Sequence, residues 1–311
     1  MSESLSIIIV NYKSWDKLNL CLDSITKQKE IKMSTIIVDN NSNDNQIGNF
    51  KKKFTWVKWI ENSKNYGFAK ACNIGANYSN SKWCLFLNPD TILEKNSLST
   101  LIKYCNENIQ HKLIGIKQLN EKLIPTDSFG IFLNFWSLSG LIRPLIRFIK
   151  NASYSKINSQ LIAHPDWISG SFILIRKQDF ELIKGWDESY WMYYEDMDLC
   201  KRASNKNLKV SLLNNWNCTH FQGTSSRKNN TIKIITKSEV IISSHIFIEK
   251  HTISGVALLT HLCLIIIQLI ELLLSFPFSS IKRKILLNSL KYWGKGVFES
   301  DWRSQRKVSN H

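Results

Sequence analysis

Two aspartates stand directly behind short apolar runs. Asp39 follows Thr35–Val38 and opens Asp39-Asn40-Asn41-Ser42, and Asp90 closes Asn88-Pro89-Asp90 behind Trp83–Leu87. If those runs are strands of one open parallel sheet, both carboxylates lie outside the carboxyl ends of strands, where such sheets bind ligands. Each also has a plainer reading, Asp39 as a turn and helix cap and Asp90 as a turn residue. A third group is the run from Trp186 to Asp198, in which Glu195, Asp196 and Asp198 crowd beside Trp186, Tyr190, Trp191, Tyr193 and Tyr194. Acids at a helix start complement its dipole, and the aromatics could be core. Flat rings beside paired carboxylates also suit a sugar, with a carboxylate placed to take a hydroxyl proton. His220, in Thr219-His220-Phe221, is a lone histidine that spacing alone cannot raise above a structural role.

Several chemistries lose their usual support. The twelve glycines form neither G-x-G-x-x-G nor G-x-x-x-x-G-K-[ST], and H-E-x-x-H and G-x-S-x-G are also missing. The seven cysteines are scattered, odd in number and contain no C-x-x-C pair, which argues against a structural zinc site or a disulfide scaffold and for a reducing compartment. The amino terminus, without a basic n-region, reads as no secretory signal.

The elements that would position these residues alternate regularly. Leu5–Val10, Thr35–Val38, Phe54–Ile60 and Trp83–Leu87 read as strands, and Asp16–Lys27, Phe68–Tyr78 and Leu98–Ile109 as amphipathic helices. This is the pattern of βαβ units around a parallel sheet buried on both faces, hence an α/β fold. Further on, Phe172–Ile175 and Leu208–Leu213 read as strands. Asp196–Ser204 reads as a helix in which Asp198 can pair with Lys201 or Arg202. Residues 120–165 hold Pro125, Pro144, Pro165 and the stretch LIRPLIRFIK, a helix or a lid facing substrate.

The chain of 311 residues has 41 Lys+Arg against 25 Asp+Glu, a net charge of +16. Residues 223–311 hold 13 of those bases against 5 acids, so positive charge is densest near the carboxyl terminus. Nucleic acid and an anionic membrane surface both answer such charge. The neighbouring residues 256–278 favour the membrane: they are strongly apolar, and His261, Gln268, Glu271 and Ser275 fall on one helical face. We read an amphipathic helix in the membrane interface followed by basic residues suited to lipid headgroups, with a buried helix as the ordinary alternative. Lys and Arg are not interleaved with Phe and Trp on any strand, and no nucleic-acid-binding motif occurs, so no nucleic acid partner is expected.

The stretches SIIIVNYKSWDKLNLCLDSI (6–25), IIVDNNSND (36–44), ENSKNYGFAKACNIGA (61–76), CLFLNPDT (84–91) and DWISGSFILIRKQDFELIKGWDESYWMYYEDMDLCKR (166–202), followed by His220, stand in the order found in one known family. In them the sequence resembles a family-2 glycosyltransferase of the GT-A fold, a Rossmann-like, mostly parallel sheet flanked by helices. It is most similar to the bacterial rhamnosyltransferase-like members that build surface polysaccharides. The resemblance implies a catalytic domain over residues 1–225 and leaves 226–311 as a helical, basic, membrane-associated region. It implies that Asp39 contacts the nucleotide base or ribose with Asn11 and Tyr12 in the same pocket, and that Gly67 and Asn73 shape the nucleotide cleft. Asp90 matches the last acid of the family's D-x-D metal motif, whose first position is here Asn88. His220 matches a further metal or diphosphate contact, with Mg²⁺ or Mn²⁺ as the ion. Asp196 matches the general base and Glu195 would orient the acceptor, which Trp167, Ser169, Gly170, Ser171 and Trp191 would face.

The reaction implied is inverting transfer from a nucleotide-sugar donor, with dTDP-L-rhamnose first and UDP-hexoses or UDP-N-acetylhexosamines second. The acceptor would be a lipid-linked or oligosaccharide glycan. The enzyme would be cytoplasmic and peripheral on the inner face of the bacterial membrane, which it would meet through residues 256–307.

Overall fold

The computed structural model describes residues 4–126, 128–130, 132, 157, 159–221, 230–275 and 279–304. The stretch LIRPLIRFIK lies outside them, as do residues 276–278 and 305–307 of the expected membrane-facing region. The chain divides into two compact units. The first comprises Met1–Ile131, Lys156–Asp187 and Glu195–Ser225, and the second Phe132–Ser155, Glu188–Tyr194 and Ser226–His311.

The first unit is built on a nine-stranded mixed sheet. In chain order its strands are β1 (Leu5–Asn11), β2 (Met33–Asp39), β3 (Lys58–Glu61), β4 (Trp83–Leu87), β5 (Thr91–Leu93) and β6 (Leu113–Leu119), then, after the short β7 (Phe129–Gly130), β8 (Ile162–Ala163), β9 (Trp167–Ile168), β10 (Phe172–Arg176) and β11 (Val210–His220). β7 and β9 pair apart as a two-stranded ribbon. The order across the sheet is β3-β2-β1-β4-β10-β6-β11-β5, with β8 on β11. β3, β2, β1 and β4 are parallel, as the alternating pattern predicts. β10 departs from that expectation: it enters antiparallel between β4 and β6. Strand direction depends on how the chain returns, and an apolar run such as FILIR reads the same either way.

β1 and β4 are fully buried runs because helices cover both faces. α1 (Trp15–Ile25) and α4 (Ser97–Glu107) place Leu18, Leu22, Leu98 and Leu101 in one cluster with Ile7, Ile9, Leu85 and Leu174. α3 (Phe68–Asn77) packs against β1 and β2. The expected third strand, Phe54–Ile60, divides. α2 (Ile47–Lys53) ends just before it, Phe54 is buried beside Phe50, and only Lys58–Glu61 pairs as the edge strand β3. Two short helices, α5 (Lys177–Leu182) and α6 (Glu195–Asn205), follow β10. In α6, Asp198 takes Arg202 as its partner, with Nε donating to Oδ2 at 2.7 Å.

The second unit is helical: α7 (Asn230–His251), α8 (Ser254–Ser275) and α9 (Ser280–Glu299). Leu272, Ile285, Leu286, Tyr292, Trp293 and Trp302 form its apolar core. All seven cysteines are free thiols, six of them buried.

Candidate active site

The carboxyl ends of β1, β2, β4, β6 and β11 and the amino end of the antiparallel β10 meet at one edge of the sheet. The register requires this: Asn11 lies opposite Asp39, Leu87 opposite Phe172, and Leu119 opposite Thr219. Trp191, with Tyr190, Tyr193 and Tyr194, belongs to the second unit; the other site candidates belong to the first, and most stand at this edge.

At the β1–β2 end Asp39 is held as a hydrogen-bond acceptor. Asn11 Nδ2 donates to its Oδ1 at 3.0 Å, Ser42 Oγ to the same oxygen at 2.6 Å, and the Ser42 backbone N–H to Oδ2 at 2.9 Å. Asn11, Asp39 and Ser42 are all buried. A cleft of about 160 Å³ opens beside them, lined by Trp15, Asp39, Asn41, Asp44, Glu61 and Asn62. Tyr12 follows, 40% exposed. A larger cleft, about 320 Å³, sits at the opposite end, by Ser4 and Lys32, where no candidate residue stands. Ligands of open α/β sheets bind at the carboxyl ends, so the smaller cleft is the relevant one.

Asn40 carries no role in the sequence reading yet organises this end. It is buried; its Nδ2 donates to Asn65 Oδ1 (2.9 Å) and Gly67 O (3.1 Å), and its Oδ1 accepts from Asn62 Nδ2 and Tyr66 N, both at 3.0 Å. Gly67, just before α3, has φ 81° and ψ 172°, a conformation nearly confined to glycine. Asn73 spends its amide on the Trp186 backbone, accepting from N and donating to O at 2.9 Å each, so it shapes the cleft by holding that loop. Trp186 packs edge-on against Phe68 and Phe86, and both Trp186 and Tyr190 are wholly buried, which makes these two rings core rather than a sugar platform.

Behind β4, the Asn88 N–H bonds Ser171 O at 3.0 Å, and Asp90 lies beside His220: Oδ1 and Nε2 are 3.3 Å apart. His220 Nδ1 meets Gln118 Oε1 at 2.9 Å, and Ser171 Oγ donates to the same oxygen at 2.9 Å. Because that amide oxygen only accepts, His220 Nδ1 is its donor, and Nε2 is left facing Asp90. Two ligand atoms thus stand side by side. Among the described residues no group of three or more His, Cys, Asp or Glu could hold a metal. Gln118, 1% exposed on β6, is a second residue that sequence reasoning missed.

The paired carboxylates open α6. The Gly170 N–H donates to Asp196 Oδ2 at 3.1 Å and the Met197 N–H to Oδ1 at 2.9 Å. Gly170 belongs to the turn Ser169-Gly170-Ser171, where the two serine hydroxyls lie 2.9 Å apart, and Trp167 precedes it on β9. A side chain at 170 would meet Asp196 Cβ at 3.5 Å, so the loop and the acid are in near contact. Burial, then the charge of Asp196, pushes the Glu195 carboxyl up to about 8; burial also raises Asp196. Glu195 Oε2 has no hydrogen-bond partner among the described residues. The proton therefore rests first on Glu195, and the two backbone N–H groups favour the charged form on Asp196 over that on Glu195.

Comparison with known proteins matches two family models in succession. Glycosyl transferase family 2 covers residues 6–113, and the N-terminal domain of galactosyltransferase covers residues 155–224. The rhamnosyltransferase WbbL of Escherichia coli K12 is 28% identical over 69% of this chain and 82% of its own length. An N-acetylglucosaminyl-diphospho-decaprenol L-rhamnosyltransferase of Mycobacterium tuberculosis is 23% identical over 65% and 71%. The hexosyltransferase Agl10 of Haloferax volcanii is 26% identical over 68% and 64%. Among solved structures, residues 1–349 of S. aureus TarS superpose with a TM-score of 0.54 at 16% identity, over 96% of this chain and 82% of that one. GalNAc-T7, crystallised with UDP, GalNAc and Mn²⁺, gives 0.56 at 15%, over 78% and 48%. These two likenesses establish the GT-A fold. Residues 6–113 match glycosyl transferase family 2 and the curated relatives are glycosyltransferases, so the chain is a glycosyltransferase similar to rhamnosyltransferases of that kind.

Proposed function

We propose that the chain is an inverting transferase that moves a sugar, L-rhamnose from dTDP-L-rhamnose in the leading reading, onto a hydroxyl of a lipid-linked or growing surface glycan. It would work at the cytoplasmic face of the bacterial membrane. The observation that carries the proposal is the convergence, on one sheet edge, of the Asp39 cleft, the Asp90–His220 pair and the Asp196 carboxyl fixed by the Gly170 N–H. The leading donor and the lipid-linked acceptor are supported by the names of the E. coli and M. tuberculosis relatives. The second reading, a UDP-hexose or UDP-N-acetylhexosamine donor with the same chemistry, is supported by the hexosyltransferase relative.

Asp39, Asn11 and the exposed ring of Tyr12 would hold the nucleoside, with Gly67 and Asn73 keeping the cleft open. A carboxylate oxygen and an imidazole nitrogen 3.3 Å apart suit Mg²⁺ or Mn²⁺, whose remaining positions the donor diphosphate would fill. A bound divalent ion supplies Lewis-acid stabilisation of the negative charge that develops on the leaving diphosphate. Asn88 in place of a first aspartate leaves Asp90 and His220 as the ligands. The acceptor hydroxyl would be oriented by Ser169, Ser171 and Trp167. Asp196 takes its proton as the new glycosidic bond forms, and the sugar–diphosphate bond breaks on the opposite face. No enzyme nucleophile is needed, so one displacement inverts the anomeric centre.

The test is a donor screen with Mg²⁺ or Mn²⁺, read by thermal shift and slow donor hydrolysis. One donor is expected to stabilise the fold only when metal is present. Asp196→Asn should keep that donor shift and lose transfer; full turnover by a folded Asp196→Asn would overturn the mechanism.

A further inference from the structure

Helix α8 is turned inside out. Its buried line is His261, Leu264, Gln268 and Leu272, so two of its few polar side chains point into the helical unit. Both are satisfied there. The rings of His245 and His261 meet at 2.9 Å through their Nδ1 atoms, His261 Nε2 lies 3.1 Å from Glu249 Oε2, and Gln268 Nε2 donates to Ser244 Oγ at 3.1 Å. Trp302 stacks on His261 with centroids 3.8 Å apart. The outward line, at steps of three and four residues, is Leu258, Leu262, Ile266, Ile270 and Leu273, extended by Leu259 and Leu274 and, ahead of the helix, by Ile253 at 81% exposure. No described element covers it. Water cannot favour this arrangement, since a helix in a water-soluble unit buries its apolar stripe and shows its polar one.

α9 adds the charge. Its exposed apolar residues Leu287, Leu290 and Phe298 alternate with exposed Arg283, Lys284 and Lys291. An exposed apolar helix face in a unit that also exposes a cluster of bases suits an anionic lipid leaflet, with acyl chains for the one and headgroups for the other. A second copy fits worse, because a two-fold contact would set those bases against their own images. α8 is long and apolar enough to cross a bilayer, at mean hydropathy 2.3 over Ser254–Leu274. Yet its polar line is fastened along its length to α7 and α9, and Glu271 pairs with Lys282 at 3.8 Å. Crossing would take those charged helices into hydrocarbon as well.

We propose that α8 lies in the plane of an anionic leaflet, its Leu258–Leu273 line immersed and the α9 bases on the headgroups, as a one-sided anchor that does not span. This fixes the membrane contact of the function proposed above and rests on that reading for why a membrane is the partner. The test is flotation of the full chain with vesicles of phosphatidylglycerol and phosphatidylcholine, without donor or acceptor, so that anchoring and transfer can fail separately. Wild type is expected to float with phosphatidylglycerol and about tenfold less with phosphatidylcholine alone. L262D/I266D/I270D should float at least tenfold less with its circular dichroism unchanged, because these side chains lie outside the helical core. Arg283→Glu/Lys284→Glu/Lys291→Glu should lose the preference for phosphatidylglycerol. On a Cys263→Ser background, fluorophores at Val256→Cys and Leu274→Cys should be quenched alike by a spin-labelled lipid confined to the outer leaflet. A spanning helix would leave one of them unquenched. That result, undiminished flotation of the aspartate variant, or a wild type that stays with the buffer overturns the proposal. A dimer broken by the three aspartates would instead assign the face to a second copy.

Discussion

At the scale of single residues, the proposed chemistry turns on which of two adjacent carboxyls keeps its proton. Glu195 is buried and its Oε2 has no hydrogen-bond partner among the described residues, whereas Asp196 accepts two backbone N–H groups. Those bonds favour the charged form of Asp196 and leave the neutral form to Glu195. Glu195→Gln, which imitates a protonated glutamate, should therefore keep kcat within about tenfold, while Asp196→Asn loses about 10²–10⁴-fold. Equal losses in the two variants, measured as initial rates at saturating donor, would show that the proton sits elsewhere. Gln118 acts through its neighbours. Gln118→Leu nearly conserves volume but leaves His220 Nδ1 and Ser171 Oγ without the shared acceptor. Partners of this kind typically carry about 10–100-fold in metal affinity or activity. The Mg²⁺ or Mn²⁺ concentration for half-maximal rate should rise by that factor and kcat at saturating metal should largely recover, a split that mere loosening of β6 would not give.

At the scale of elements, the carboxyl end of β2 depends on a turn that only one residue fits. With φ 81° and ψ 172°, Gly67 presents its carbonyl to Asn40 and starts α3. Gly67→Ala should cost about 1–3 kcal/mol in urea unfolding and raise the KM for donor more than it lowers kcat. Retention of wild-type stability would mean that the turn relaxes. This element also shows what the sequence could reveal. β1 and β4 are legible because burial on both faces leaves continuous apolar runs, and Asp39 and Asp90 follow because they end such runs. Asn40 and Gln118 are not legible, because their roles arise from partners distant in sequence: Asn65 and Gly67 for one, His220 for the other. The direction of β10 and the short strand β5 are likewise set by pairing rather than by composition. For α8 the sequence reveals the polar stripe, but a stripe states only that two faces differ. Which face turns outward is decided by His245, Glu249 and Ser244, on a different helix.

At the scale of the whole molecule, the two units carry buried titrating groups of opposite sense, so pH should act on them in opposite directions. In the first unit the raised Glu195 binds its proton more tightly folded than unfolded. Its stabilising contribution is complete below its ordinary value of 4.5 and is lost as pH rises to about 8. In the second unit His245 has no exposed surface. It faces His261, Gln268, Trp293, Tyr292 and Trp302, with Glu249 behind His261. Burial foremost, and then His261, pushes its imidazole down to about 3. That unit keeps its full contribution above 6.5 and loses it as pH falls toward 3. Each slope is bounded by one proton, about 1.4 kcal/mol per pH unit. The stability of Glu195→Gln relative to wild type should therefore rise between pH 4.5 and 8 and level off above. That of His245→Gln should rise as pH falls below 6.5, from whatever offset its lost hydrogen bonds impose. Urea unfolding of the three proteins at pH 5, 6.5 and 8 reads both slopes. Two differences that stay flat with pH would mean that neither group is held in its neutral form by burial, and the assignment of the negative charge to Asp196 would fall with the first of them.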